Sequence, residues 1–191
     1  MLILGSSSPI RRSLLEGVGL SFEVRSPEYD EDALKATHDG DAPSLARALA
    51  EGKAQAVEAA TGDLVIGGDS VLEVDGRRFD KPKDRAEAAA HLAFFSGRTM
   101  QLHSGVALVR DGAIIWSHVD TAGLHVRALT ADFIHAYLDA EWPEVGYCVG
   151  VFRMEGRGAT LFERVEGSHF TILGLPLLPL LAALREEGAA P

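Results

Sequence analysis

Cysteine is almost absent: Cys148 is the single thiol among 191 residues. No disulfide can close within the chain, and the expected setting is a reducing cytoplasm. Basic residues are in the minority, 18 Lys and Arg against 28 Asp and Glu, for a formal net charge of −10. That balance argues against sequence-independent binding to nucleic acid or to an anionic membrane surface. It still allows a small polyanion held by a few converging basic groups, with or without a divalent metal. No apolar run reaches the roughly 18 residues of a membrane span. The N-terminus lacks the basic and then apolar pattern of a secretion signal. His38, His91, His103, His118, His125, His135 and His169 show no HxxxH or HExxH spacing, so a zinc site is not expected. A GxSxG nucleophile elbow and a GxxxxGK[ST] phosphate loop are missing as well.

What is present is an apolar content of 47%, ordinary for a globular protein. The length suits one domain, or two small lobes around a cleft. Apolar patterning alternates between strand and helix, which predicts an α/β fold, a mixed twisted sheet with flanking helices. Leu2-Ile3-Leu4 reads as a buried strand, and a helix starts at Pro9. Strand-like alternation over 21–26 leads into an acidic turn or loop at 27–32. A helix is expected over 43–60. A short strand, Leu64-Val65-Ile66, is expected to end at Gly67-Gly68-Asp69-Ser70. Asp75-Gly76 marks a hairpin over 71–79. A helix follows at 84–95, then two long strands at 99–110 and 113–127, and a helix over 130–138. Glycines interrupt 146–158, a strand is expected at 159–165, and a last helix runs from near Pro176 to about Glu186.

Chemistry concentrates in a few places. Ser6, Ser8 and Arg11 lie in a small-residue turn between the first strand and helix, where backbone N–H groups, hydroxyls and the guanidinium suit anionic oxygens. Arg11 and Arg12 sit at a helix start, where the dipole is already positive; such placement points to an anion. Ser8-Pro9 also reads as an ordinary N-cap followed by proline. Asp69, after an apolar strand, occupies a position where α/β sheets handle ligands; a turn aspartate is the alternative. Gly67 and Gly68 would let a substrate or metal approach the backbone. Glu31 is a candidate second oxygen ligand for Mg²⁺ or Mn²⁺, against a plain solvated acidic loop. Lys81, stiffened by Pro82, can serve as a point charge for phosphate or remain a solvated turn lysine. Lys53 reads locally as a snorkelling lysine on an alanine-rich helix. His38 sits in a polar loop without an evident partner.

In order along the chain these pieces resemble the Maf family of nucleoside triphosphate pyrophosphatases. Ser6-Ser7-Ser8-Pro9-Ile10-Arg11 is similar to its SxSPRR segment, Tyr29-Asp30-Glu31 to its acidic loop and Gly52-Lys53-Ala54 to its helix lysine. Ile66-Gly67-Gly68-Asp69-Ser70-Val71 resembles its GADT motif. Lys81-Pro82-Lys83, Ser96-Gly97-Arg98 and Gly174-Leu175-Pro176-Leu177 are similar to its KP, SGR and GLPL segments. The resemblance runs nearly end to end and implies a single family domain, two-lobed, with substrate in a central cleft. It implies hydrolysis of a nucleoside triphosphate to the monophosphate and pyrophosphate with Mg²⁺ or Mn²⁺. It gives Asp69 the general-base position, with Glu31 helping hold the metal. Ser6, Ser8, Arg11, Lys53 and Lys81 become the phosphate contacts.

Ile10, Ser70 and Glu155 fall at the base-specificity positions. Family members acting on dTTP and UTP usually have arginine and glutamine where this chain has Ile10 and Glu155. Members acting on 7-methyl-GTP usually have an apolar or aromatic residue and a glutamate. A carboxylate can accept from the adjacent N–H donors on guanine, and Glu155 complements the positive charge of an N7-methylated base. 7-Methyl-GTP is therefore the expected substrate, as in a house-cleaning enzyme. A dTTP/UTP pyrophosphatase and a non-catalytic nucleotide-binding regulator of cell division are the alternatives. The family commonly forms homodimers; the apolar hairpin over 99–127 and the C-terminal leucines are candidate interface segments.

Overall fold

The computed structural model of the chain describes residues 1–190. Its strands are β1 (Leu2–Gly5), β2 (Glu23–Val24), β3 (Leu64–Val74), β4 (Arg77–Phe79), β5 (Thr99–Arg110), β6 (Ala113–Val126) and β7 (Phe162–Glu166). Its helices are α1 (Pro9–Gly17), α2 (Glu31–Thr37), α3 (Ala42–Gln55), α4 (Arg85–Phe95), α5 (Ala131–Glu141), α6 (His169–Ile172) and α7 (Leu177–Glu186), with 3-10 turns at Glu144–Tyr147 and Arg157–Leu161. The strands pair in the order β2-β1-β3-β5-β6-β7, with β4 on β3. β1 runs parallel to both β2 and β3, while β3–β4 and β6–β7 are antiparallel. This is the expected mixed α/β architecture.

The chain divides into two compact units. The first comprises Met1–Ser70, His103–Thr121 and the segment from Ser168; the second comprises Val71–Leu102 and Ala122–Gly167. In the first unit the pleat sorts side chains onto two buried faces. Leu2, Leu4, Leu64, Ile66, Val106 and Leu108 pack with Leu15 of α1 and with Leu177, Leu180 and Leu184 of α7. Ile3, Val65, Ala107 and Val109 pack with Ala50, Ala54 and Val57 on the other face. Strands buried on both faces read as continuous apolar runs, which explains Leu2-Ile3-Leu4 and Leu64-Val65-Ile66.

α3 can lie this close because its inner face is small. Ala42, Ala46, Ala50 and Ala54 are buried along it. A Cβ on Gly67 would lie 2.7 Å from Ala54 Cβ and 2.8 Å from its amide nitrogen, and would press on the Ala50 carbonyl. The glycine expected to admit a ligand instead admits a helix.

In the second unit Phe79, His91, Phe94 and Phe95 form a ring cluster, edge-on where Phe79 meets His91 and Phe95 and tilted between Phe79 and Phe94 and between His91 and Phe95. There α4 packs on α5. The guanidiniums of Arg77 and Arg98 flank the Phe94 ring at 5.5 and 4.5 Å.

Several elements differ from expectation. The acidic segment does not remain a loop through Asp32, because Asp30 caps α2 by accepting from the Ala33 amide at 3.0 Å and Glu31 begins the helix. β3 does not stop at Ile66 but continues to Val74, so Asp69 lies within a strand. The 43–60 helix ends at Gln55. His38 does have a partner, Ser44 Oγ at 2.9 Å. The four-residue α6 has no periodic signal of its own.

Candidate active site

In the first unit the site starts at the β1–α1 turn. Ser8 is the N-cap of α1, its hydroxyl 3.5 Å from the Arg11 amide; the capping reading and the anion-site reading thus fall on one residue. Its own amide donates to Ser6 Oγ at 3.2 Å. Arg11, one turn into the helix, points inward and is 9% exposed. Its Nε donates to the Gly174 carbonyl at 2.8 Å, Nη1 to Ser6 Oγ at 3.4 Å and Nη2 to Ser70 Oγ at 3.2 Å. All three acceptors are neutral. Burial pulls the guanidinium below its ordinary pKa, and the negative charges of Asp69 and Glu31 act in the opposite direction. A buried cation without a carboxylate in contact is suited to an incoming anion. Gly68 serves this placement, since a Cβ there would come within 3.3 Å of Arg11 Nε. Arg12, by contrast, is exposed and paired with Glu16 at 2.7 Å.

A second cluster in the same unit joins α2, α3 and β3. Lys53 Nζ sits 2.7 Å from Glu31 Oε1 and 3.2 Å from Asp69 Oδ2. Its side chain is 13% exposed, so it does not snorkel to solvent; it joins two carboxylates. The other Asp69 oxygen, Oδ1, accepts from the Ser70 amide at 2.9 Å, which fixes the carboxylate plane. Tyr29 packs where a Cβ on Gly52 would stand, 2.7 Å from the ring's Cε2. Burial foremost, then the charge of Glu31, raises the Tyr29 phenol above its ordinary pKa. The Gly52-Lys53 pair therefore has two jobs: the glycine leaves room for the ring, and the lysine bridges the acids.

These carboxylates suit a hard divalent cation. Two acidic groups already share one cation, the Lys53 ammonium, between them. Among the described residues no group of three or more His, Cys, Asp or Glu forms a metal cage. Mg²⁺ characteristically takes one or two protein carboxylates and completes its shell with water and substrate phosphates. Glu31 and Asp69 fit that pattern.

Ile10 is half-buried on α1, and Ser70 is engaged by Arg11. Lys81 and Glu155 belong to the second unit and are exposed. There both act on one thiol. Burial foremost, then the charge of Glu155, pushes Cys148 up, while Arg153 and Lys81 pull it down. The segment carrying Glu155 is tied to α5. The Tyr137 hydroxyl donates to the Val151 carbonyl at 3.0 Å, and Arg153 Nη2 donates to the buried Glu141 at 3.2 Å. Val151 has φ 58°, a costly conformation for a β-branched residue and one that surrounding contacts must hold. Sequence reasoning did not single out Tyr137, Glu141, Ser104, Thr171 or Asp120. Gly174 was marked only as part of a motif.

The Maf-like protein family profile matches residues 1–187. A 7-methyl-GTP pyrophosphatase of Rhizobium etli is 49% identical over 191 residues, covering 98% of this chain and 96% of that protein. One of Rhizobium meliloti is 46% identical over 193 residues, with 99% and 97% covered. A nucleoside triphosphate pyrophosphatase of Nitrobacter winogradskyi is 47% identical over 188 residues, with 97% and 93% covered. With an anion-ready arginine and a lysine-bridged acid pair held by the motifs that first suggested it, the chain belongs to the Maf family.

Proposed function

We propose that the protein hydrolyses a nucleoside triphosphate, 7-methyl-GTP foremost, to the monophosphate and pyrophosphate, as a house-cleaning enzyme. One observation carries the reading: Lys53 joins Glu31 and Asp69 in the unit that also buries Arg11. A carboxylate fixed by a backbone amide and a lysine is oriented to direct a water molecule at phosphorus. The water oxygen attacks the α-phosphorus, its proton passes to Asp69, and the bond from that phosphorus to the oxygen bridging toward the β-phosphate breaks. Pyrophosphate leaves. Arg11 and Lys53 oppose the charge that grows on the phosphate oxygens, and Ser6 and Ser8 line the same turn. Mg²⁺ or Mn²⁺ bound at Glu31 and Asp69 would neutralise phosphate charge and make the water more acidic. In the second unit, Lys81 is a further phosphate charge and Glu155 the acceptor for guanine's donor edge.

The names of the relatives from Rhizobium etli and Rhizobium meliloti support the 7-methyl-GTP assignment, as does a carboxylate at position 155. No helix among the described residues is long and apolar enough to cross a membrane. The acidic charge of the chain favours a small nucleotide over nucleic acid, and the lone thiol suits the cytoplasm. A homodimer would cover Ile114, Ile115 and Leu178, which are exposed.

Initial rates of pyrophosphate release on a panel of natural and modified triphosphates test the proposal. The expected result is the highest kcat/KM for 7-methyl-GTP, a requirement for Mg²⁺ or Mn²⁺ and loss of turnover in Asp69→Asn. UTP or dTTP ranked first would replace the substrate assignment. Nucleotide binding without turnover in the wild type would favour the regulator.

A further inference from the structure

Arg11 is held by a chain of polar groups that extends well beyond the nucleotide motifs. Ser70 Oγ, which accepts from Arg11, lies 3.0 Å from Ser104 Oγ on β5. Ser104, fully buried, donates its hydroxyl proton to the Thr171 carbonyl at 2.9 Å. A hydroxyl carries one proton, so Ser104 has none left for Ser70. Ser70 must therefore donate to Ser104, which leaves its lone pairs for the Arg11 guanidinium. The polarity of the hydroxyl beside the arginine is decided two residues away, by a backbone carbonyl.

That carbonyl is itself anchored. The fully buried Thr171 donates its side-chain hydroxyl to Asp120 Oδ2 on β6 at 2.6 Å. The Asp120 Oδ1 atom accepts from the Thr121 amide at 2.9 Å. The bend that begins at Thr171 ends at Gly174, whose φ is +89° and whose carbonyl takes Arg11 Nε. One short segment thus contributes two carbonyls to the support of one guanidinium, and Asp120 is its tether.

We propose that Ser104 is a positioning residue for the substrate's phosphate groups, with Thr171 and Asp120 behind it. Together they orient Ser70 and Gly174 so that the remaining Arg11 N–H groups face the anion. The inference rests on the pyrophosphatase reading and adds to it residues outside the nucleotide-binding motifs.

Steady-state kinetics on 7-methyl-GTP with Mg²⁺ tests it in Ser104→Ala, Thr171→Val and Thr171→Ser. Ser104→Ala removes the acceptor of the Ser70 proton and so unfixes the hydroxyl that receives Arg11 Nη2. KM is expected to rise about fivefold to tenfold with a smaller change in kcat. Thr171→Val keeps the volume but loses the tether, and KM is expected to rise less. Thr171→Ser keeps the hydroxyl and returns KM to within about twofold of wild type. Ser104→Cys, near in volume and a poor donor, carries the same expectation as alanine where alanine does not fold. An unchanged KM in the Ser104 variants overturns the inference, as does Thr171→Ser behaving like Thr171→Val. A wild type that turns over no triphosphate sinks the pyrophosphatase reading instead. Calorimetry with inorganic tripolyphosphate then decides the inference: weaker binding by Ser104→Ala upholds it, and equal binding overturns it.

Discussion

Lys53 Nζ stands 3.2 Å from Asp69 Oδ2, an ammonium from α3 against a carboxylate in the middle of β3. The contact exists because Gly67, two residues before Asp69, lets α3 settle directly on the strand. It places a fixed positive charge beside the group proposed to direct water, where a divalent cation is also expected.

Replacing that lysine with methionine keeps the stem and removes the charge. Lys53→Met is expected to lower kcat/KM by about 100-fold, the scale of losing one preorganised charge-stabilising donor. It also leaves Glu31 and Asp69 without their internal cation, so the Mg²⁺ concentration for half-maximal rate should fall. A metal titration of pyrophosphate release reads both effects.

The close approach of α3 predicts a contrast between two glycines. Gly67→Ala forces a methyl group into the backbone of Ala50 and Ala54 and should cost about 2–3 kcal/mol. A Cβ on Gly17, at the end of α1, would meet nothing within 4 Å. Gly17→Ala should be neutral or stabilising by about 0.5 kcal/mol, through helix propensity and a less flexible unfolded chain. Thermal melts of the two variants against wild type check the pair.

His91 predicts acid sensitivity. Burial foremost holds its pKa below the ordinary histidine value; Arg77 acts the same way, while the charges of Glu87 and Asp80 oppose it. The ring lies 5.1 Å from Phe79 in an edge-on contact, and Nδ1 has no hydrogen-bond partner. The unfolded chain then binds a proton before the folded one does. The stabilising effect of the neutral ring is full above the ordinary histidine pKa, about 6.5, and is lost as pH falls below it toward the lower folded value. One group can contribute at most about 1.4 kcal/mol per pH unit there. Melting temperature should fall between pH 7.5 and 5.5, and fall less steeply in His91→Leu.

Tyr137 predicts a link between stability and substrate choice. Its hydroxyl satisfies the carbonyl of Val151, at the strained start of the segment that leads to Glu155. Tyr137→Phe should cost about 1–2 kcal/mol and reduce the preference for 7-methyl-GTP over UTP. Glu155→Gln should erode the same preference by roughly tenfold to a hundredfold, a discrimination of ~1–3 kcal/mol, with little change in melting temperature. The ratio of kcat/KM values for the two substrates is the measurement.

Much of the fold was legible from local pattern. The strand at Leu2–Gly5, the helix from Pro9, the Asp75-Gly76 hairpin and the long pair β5 and β6 each announce themselves by spacing and turn chemistry. The boundaries that were missed had competing signals. Gly67-Gly68 reads as a stop, yet β3 runs through it because the glycines accommodate neighbours rather than a turn. The run of acids at 30–32 reads as solvated loop, yet Asp30 is a cap and Glu31 faces Lys53.

For the candidate site, Arg11 and Asp69 stood out locally, one in a small-residue turn and one after an apolar strand. Lys53 read as a snorkelling lysine and gained a site role only through the family resemblance. Their partners were not conspicuous. Ser104 and Asp120 are ordinary residues inside long strands, and Thr171 belongs to a four-residue helix too short for any periodicity.

The order of residues by itself determined most of the long strands and helices and which segments carry charge, since those properties depend on neighbours a few positions apart. Tertiary structure alone decided that Arg11 meets Gly174, 163 positions away, and that a serine within β5 orients the hydroxyl beside it. A buried guanidinium must find acceptors wherever packing brings a carbonyl or hydroxyl within about 3 Å. Distance in space, which spacing along the chain does not encode, makes that choice.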